Sequence, residues 1–282
     1  MNESIRRFLT WLEVNRGSAG NTLLAYRADL KQFREVLESA GEDIDPGGLS
    51  SDQVGRYVAW LGRQGYRPAT VSRKMAAVRS FLSYLHQAEG LPDGQLLAEL
   101  RPGPAPRRRP RVLDPREVGE LLSLPGRQDT PRALRDAAIL ALLYATGLRA
   151  ADLVALRLEN VDLEAGRLRR PAPEGGSIPL GLAAESLRRY LSGGRPHLAR
   201  SSDESALFLN QRGRRLSRQG LWLVVKRWAK ASGLGGDVSP HTLRHTLAHH
   251  LLSEGKSRRE VQLRLGLSSP NAIRLPRERQ DA

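Results

Sequence analysis

The segment 101–112, RPGPAPRRRPRV, carries prolines at 102, 104, 106 and 110. Each proline fixes its own φ and lacks an amide donor, so neither a regular helix nor a sheet ladder can run through the segment. The chain on either side must therefore fold as separate bodies, 1–100 and 113–282, joined by an extended connection. Arg101, Arg107, Arg108, Arg109 and Arg111 make that connection cationic. A solvated hinge and a strap laid along phosphates both fit this composition. With 282 residues, 40% of them hydrophobic, there is enough chain for two cores.

The first body reads as a small helical bundle without strand signals. Ile5, Phe8, Leu9 and Leu12 recur at helical spacing, and Asn21-Thr22 opens a second helix with Leu23, Tyr26, Leu30, Phe33 and Leu37 on one face. Ser50 or Ser51 caps a third, carrying Val54, Tyr57, Val58 and Leu61. Pro68 opens a fourth, with Val71, Met75, Val78, Phe81, Leu82 and Leu85. In the second body, 133–146 is a strongly apolar helix suited to its buried centre. Short strands are expected over 158–168 and 177–180, with further helices over 181–192, 217–232 and 241–254. The fold class is thus mainly α with a small β-sheet.

The net charge of +15 favours a polyanion as partner, through counterion release along a phosphate backbone, although an arginine-rich composition alone produces the same excess. The absence of cysteine excludes disulfides, thiolate catalysis and Cys-ligated zinc. The N-terminus lacks the uninterrupted apolar stretch of a signal peptide, and no run is long enough to span a bilayer. A soluble, cytoplasmic protein without a membrane partner is expected.

Three clusters in the second body carry chemistry. In ATGLRAADL (145–153), Gly147 ends the apolar helix and places Arg149 at a helix junction, with Asp152 one turn on. A structural Arg149–Asp152 pair and an anion site both suit it. In SPHTLRHT (239–246), Pro240 starts a helix whose first turns hold His241 and Arg244, with His245 four residues after His241. The two histidines have metal-ligand spacing, but the HExxH glutamate is absent and Arg244 repels a cation. Imidazole and guanidinium at a helix N-terminus suit a phosphate better. In NQRGRRLSR (210–218), Arg212, Arg214, Arg215 and Arg218 form a basic turn entering a helix, either a solvated turn or a phosphate-backbone contact.

The stretches TGLRAADLVALRLENVDL, LFLNQRGRRLSRQGLWLVVKRWAKASGL and SPHTLRHTLAHHLLSEGKSRREVQLRLG resemble the tyrosine recombinase (phage integrase) family, most closely its Xer-type bacterial members. SAGNTLLAYRADLKQF and RPATVSRKMAAVRSFLSYL resemble that family's core-binding bundle, and the match runs to about residue 266. The resemblance implies an N-terminal core-binding bundle plus a C-terminal catalytic-type domain closing on duplex DNA as a clamp. It implies no metal or nucleotide cofactor and no small-molecule substrate. In that family two arginines and a histidine cradle the scissile phosphate while a tyrosine attacks it, forming a 3′-phosphotyrosyl bond. The resemblance gives those roles to Arg149, His241 and Arg244, with Asp152 supporting the first arginine and His245 as a second histidine. DNA contacts are expected from Arg73, Lys74, Arg107, Arg108, Arg109, Arg111, Arg212, Arg214, Arg215 and Arg218.

Three family positions are filled differently. The stretch 170–177 holds no lysine where the family's β-hairpin lysine is expected, the family's LGH reads Leu265-Gly266-Leu267, and the position of the tyrosine is occupied by Pro276. All six tyrosines, at 26, 57, 66, 84, 144 and 190, precede the His241 box. The family's C-terminal helix is also expected to be missing after NAIRLPRERQDA. A degenerate binding paralogue, a frameshifted product and a chain that takes its nucleophile from an active Xer-type partner all accord with this pattern. The joint loss of lysine, histidine and tyrosine favours the first. Self-association on DNA is a further expectation.

Overall fold

The computed structural model describes residues 1–16, 20–39, 48–89, 100, 111–171, 176–235 and 237–267. The chain divides into two compact units, Met1–Arg107 and Arg108–Ala282.

The first unit is built from α1 (Asn2–Arg16), α2 (Gly20–Glu38), α3 (Ser51–Arg63) and α4 (Pro68–Glu89). Ser50 starts α3: its hydroxyl accepts from the Gln53 amide at 3.2 Å, and its own amide donates to Gln53 Oε1 at 2.9 Å. The apolar faces read from the sequence meet in one core around Phe8, Phe33, Tyr57 and Phe81. Phe33 packs edge-on against Tyr57 at 4.8 Å between ring centres, and Phe8 against Phe81 at 5.5 Å. Asp29 is buried in this unit, held by Lys74 at 2.9 Å and by Arg73.

The second unit opens with α5 (Pro115–Ser123), started by a capping box between Asp114 and Glu117. Its centre is α6 (Pro131–Thr146), which is buried on nearly every side. Two charged residues sit in that burial. Arg135 Nε and Nη2 donate to Asp136 Oδ1 at 2.9 and 2.8 Å, Arg135 Nη1 donates to the Leu209 carbonyl at 2.8 Å, and Trp228 Nε1 donates to Asp136 Oδ2 at 2.9 Å. Burial of both charges is tolerable only because each is paired and hydrogen-bonded.

After α7 (Ala150–Ala155) comes a three-stranded antiparallel sheet in the order β1 (Val161–Asp162), β2 (Arg167–Arg169), β3 (Ser177–Pro179). Leu168 and Ile178 face each other and are buried, while their strand neighbours are exposed. The single strand expected over 158–168 is thus two strands joined by a turn. Asp162 Oδ1 accepts from the Ala165 amide at 2.8 Å, and Gly166 takes φ 63°, which forces the chain to reverse.

Helix α8 (Ala183–Arg189) continues through a wider turn, Tyr190–Gly194, into the short α9 (Arg195–Leu198). Then follow α10 (Arg218–Ala231), α11 (Pro240–Ser253) and α12 (Arg258–Leu265). Leu247, Ala248 and Leu251 of α11 pack on Val261 and Leu265 of α12, with Tyr144 and Leu267 at the margin.

Candidate active site

Gly147 ends α6 at φ 62°, ψ 24°, its amide donating to the Leu143 carbonyl at 2.9 Å. A side chain there would meet strain in the left-handed region and would also run into Leu265 and Leu247. The turn carries Arg149 to the start of α7 in an extended backbone conformation. Arg149 Nη2 donates to the Gly266 carbonyl at 2.9 Å. That carbonyl is available because α12 ends beside the junction and leaves its last carbonyls without intrahelical donors.

Arg244 is buried on α11. Its Nη2 donates to the Leu265 carbonyl at 2.8 Å and its Nη1 to the Gly147 carbonyl. Two guanidinium groups 95 residues apart in sequence (244 − 149) are therefore anchored on consecutive carbonyls, Leu265 and Gly266. This is a rigid, doubly charged arrangement suited to an anion.

Ser239 caps α11, its hydroxyl accepting from the Thr242 amide at 3.2 Å, and so sets His241 in the first turn. His241 Nε2 and His245 Nε2 lie 2.7 Å apart with the rings nearly perpendicular, so one imidazole donates to the other. Among the described residues no group of three or more His, Cys, Asp or Glu joins them in a metal-sized cluster. Although His241 is exposed as a residue, desolvation of its ring holds its pKa below the ordinary imidazole value, and the Arg244 charge acts in the same direction.

The fold thus favours neutral His241 and binds fewer protons there than the unfolded chain does. The resulting penalty is absent above the ordinary imidazole value, grows as pH falls through it, and is complete below the depressed one. An NMR titration of His241 should give a midpoint below about 6.5. A midpoint at or above that value would contradict this account of its surroundings.

The Phage integrase family model matches residues 111–275, and the Phage integrase, N-terminal SAM-like domain model matches residues 5–89. The chain belongs to the tyrosine recombinase (phage integrase) family. A tyrosine recombinase XerC from Roseiflexus sp. (strain RS-1) is 40% identical over 274 residues, 95% of this chain and 87% of that protein. A tyrosine recombinase XerD from Listeria monocytogenes serovar 1/2a (strain ATCC BAA-679 / EGD-e) is 37% identical over 270 residues, 94% of this chain and 90% of that protein. Among solved structures, XerH bound to palindromic difH substrate has a TM-score of 0.72 at 19% identity, over 92% of this chain and 76% of that one. A lambda integrase dimer bound to a COC′ core site has a TM-score of 0.70 at 19% identity, over 99% and 97%. These two share the fold: a helical N-terminal unit and a mainly α second unit with a small sheet.

Within the second unit lies Leu267, expected from the sequence at the place of the family's late histidine. It packs at the edge of the apolar cluster between α11 and α12, and its carbonyl accepts from Gln262 Nε2 at 3.0 Å. Pro276, expected at the position of the family tyrosine, lies outside the described residues, as do Arg107, Arg108 and Arg109.

The residues expected to touch DNA divide by environment. In the basic turn, Asn210 Oδ1 accepts from the amides of Arg212 at 2.8 Å and Arg214 at 3.2 Å, with Gly213 at φ 71°. The turn leaves Arg212, Arg214 and Arg218 exposed. Arg215 points inward, its Nη1 donating to the Val154 carbonyl at 2.8 Å, so it braces the turn rather than reaching out. Lys74 also points inward: it is buried, with Asp29 at 2.9 Å and Gln32 Oε1 at 2.6 Å. A buried carboxylate holds its counter-charge, and leaving Asp29 unpaired would cost several kcal/mol, on the order of 3 to 5. Arg73 shares Asp29 while its side chain stays partly exposed. Arg111 ties the start of the second unit to the Leu234 carbonyl and, at 3.0 Å, to Glu117.

Arg170 and Arg264 also reach this region, and neither is marked by the sequence patterns above. Arg170 Nη2 donates to the Arg264 carbonyl, and Arg264 Nη2 lies 3.3 Å from the Ala145 carbonyl.

Proposed function

We propose that this chain binds duplex DNA and holds one backbone phosphate with Arg149, Arg244 and His241, but does not cut the strand by itself. The observation carrying this reading is the anchoring of both guanidinium groups on the adjacent carbonyls of Leu265 and Gly266. Fixed in that way, the forks can stabilise phosphate charge with little reorganisation, and a neutral His241 can take up or pass on a proton. Solved relatives of the same fold are described as bound to DNA sites, and one as a lambda integrase tetramer on a Holliday junction. Duplex DNA as partner and self-association on it are the corresponding expectations here, with action on the nucleoid in the cytoplasm. Pro276 at the nucleophile position favours a binding or regulatory role beside an active recombinase.

The test is affinity for a mixed-sequence duplex across a range of salt. The logarithm of affinity should fall linearly with the logarithm of salt concentration, because each neutralised phosphate releases counterions. Replacing Arg212, Arg214 and Arg218 together by Ala should flatten that slope by about 0.9 for each phosphate no longer neutralised. An unchanged slope would show that the basic turn is a solvated surface. Binding insensitive to salt would remove the DNA reading altogether.

A further inference from the structure

Tyr57 is fully buried in the core of the first unit, yet its hydroxyl has no hydrogen-bond partner among the described residues. An unpaired hydroxyl in a core destabilises the fold, and phenylalanine would fill the same space without that cost. The group beside it that could use a donor is the buried carboxylate of Asp29.

Tyr57 stands on α3 and packs edge-on against Phe33 of α2, with 4.8 Å between ring centres. Asp29 lies one turn before Phe33 on the same face of α2, so the Tyr57 ring enters the space that Asp29 also faces. Burial raises the pKa of Tyr57 well above the ordinary phenol value, and the Asp29 charge adds to the shift. The hydroxyl therefore keeps its proton and can donate. The two oxygens of Asp29 are held differently. Oδ1 accepts from Lys74 Nζ at 2.9 Å, and Lys74 is fixed in the core: it also donates to Gln32 Oε1 at 2.6 Å and lies over the Tyr66 ring. Gln32 Nε2 donates in turn to the Tyr66 hydroxyl at 3.2 Å. Oδ2 accepts from Arg73 Nη1, and the Arg73 side chain is 43% exposed. Of the two cations on Asp29, one is locked inside and the other stands at the surface.

We propose that Tyr57 is a positioning residue for DNA binding: when Arg73 turns outward to a backbone phosphate, the Tyr57 hydroxyl takes its place on Asp29 Oδ2. This rests on the duplex-binding function proposed above, with Arg73 as one of its contacts. Lys74 compensates the charge of Asp29 in both states, so the carboxylate is never left without a cation. The Tyr57 hydroxyl supplies the hydrogen bond that Arg73 gives up, which lowers the cost of freeing the arginine. In the free chain Arg73 is turned inward and Tyr57 is idle. On DNA, Tyr57 holds Asp29 and Arg73 holds phosphate.

The test is a double-mutant cycle of Tyr57→Phe and Arg73→Ala in the full chain, read by calorimetry and by affinity for a mixed-sequence duplex. Tyr57→Phe alone should raise the melting temperature by about 4 °C, because an idle buried hydroxyl is removed. In the Arg73→Ala background the same change should lower it by a similar amount, because the hydroxyl is then engaged on Asp29. A purely structural Tyr57 would not give this reversal of sign. Tyr57→Phe should also weaken duplex binding about tenfold, as expected for one hydrogen bond to a charged group. Once Arg73 is alanine, Tyr57→Phe should have no further effect on binding. A melting shift of the same sign in both backgrounds overturns the proposal, since the hydroxyl then never exchanges with Arg73. Duplex affinity lost with Arg73→Ala but kept with Tyr57→Phe overturns it too, and leaves Arg73 standing as a DNA contact. Affinity untouched by Arg73→Ala removes that contact and this proposal with it, while the wild-type chain's own binding decides the duplex reading separately.

Discussion

Incubated with a nicked suicide duplex, this chain alone is expected to give no protein-linked DNA on a denaturing gel. Covalent cleavage in the family needs a tyrosine hydroxyl in line with the leaving oxygen, and we propose that the corresponding position here is Pro276. Orientation of the nucleophile is a large share of the barrier reduction, on the order of 7 to 11 kcal/mol. The two tyrosines of the second unit are both engaged elsewhere. Tyr190 is fully buried, donates to the Leu207 carbonyl at 3.1 Å, and has its pKa pushed up to about 12 by burial. Tyr144 lies on α6 with its hydroxyl 2.7 Å from His250 Nδ1, and desolvation raises its pKa, so the phenol stays protonated. The arginines can bind and polarise a phosphate without attacking it. Water attack would give slow nicking and no adduct. The gel is run with and without an active Xer-type recombinase, and a covalent band from this chain alone would sink the prediction and identify the nucleophile by its attachment site.

The largest expected effect on stability is at Asp136. Asp136→Ala removes the partner of a buried guanidinium, since Arg135 is only 3% exposed, and also strips the acceptor from Trp228 Nε1. Leaving one member of a buried pair uncompensated costs about 3 to 5 kcal/mol. For a domain of this size that corresponds to a fall in Tm of roughly 10 °C. Arg227 approaches the same carboxylate at 3.5 Å but is half exposed and contributes little by comparison. Calorimetry of the variant tests this, and a loss below about 1 kcal/mol would mean that Arg135 finds another partner or water. Replacing Arg135 and Asp136 together by apolar residues of similar size should cost much less than Asp136→Ala, because no charge is then left unpaired.

The sequence by itself determined the mainly α fold class, with helices in the first unit, and the family. Apolar residues such as Phe8, Leu30, Phe33, Val78 and Phe81 recur at the helical period, and that period reports directly which face is buried. Gly147 and Pro240 marked the helix ends because left-handed turns and first-turn positions demand particular residue types. Helix α12 had such a signal too, a capping box from Ser257 to Glu260, yet its weakly patterned sequence RREVQLRL offers a short apolar face that does not stand out.

Only the tertiary structure decided which arginines and lysines reach outward. Lys74 and Arg215 belong to basic stretches indistinguishable in sequence from the exposed Arg212 and Arg214. Lys74 turns inward to satisfy Asp29, 45 residues away, and Arg215 to satisfy the carbonyls of Val154 and Leu156. The anchoring of Arg149, Arg170 and Arg244 on the carbonyls of Gly266, Arg264 and Leu265 was equally illegible, since main-chain carbonyls are acceptors that every residue possesses. What makes those three carbonyls special is that a helix ends there, beside a hairpin and a glycine turn far away in the chain. Local patterns encode local hydrogen bonds and the sidedness of an element. The partner of a charged side chain is set by whatever packing brings close, and that information exists only once the chain has folded.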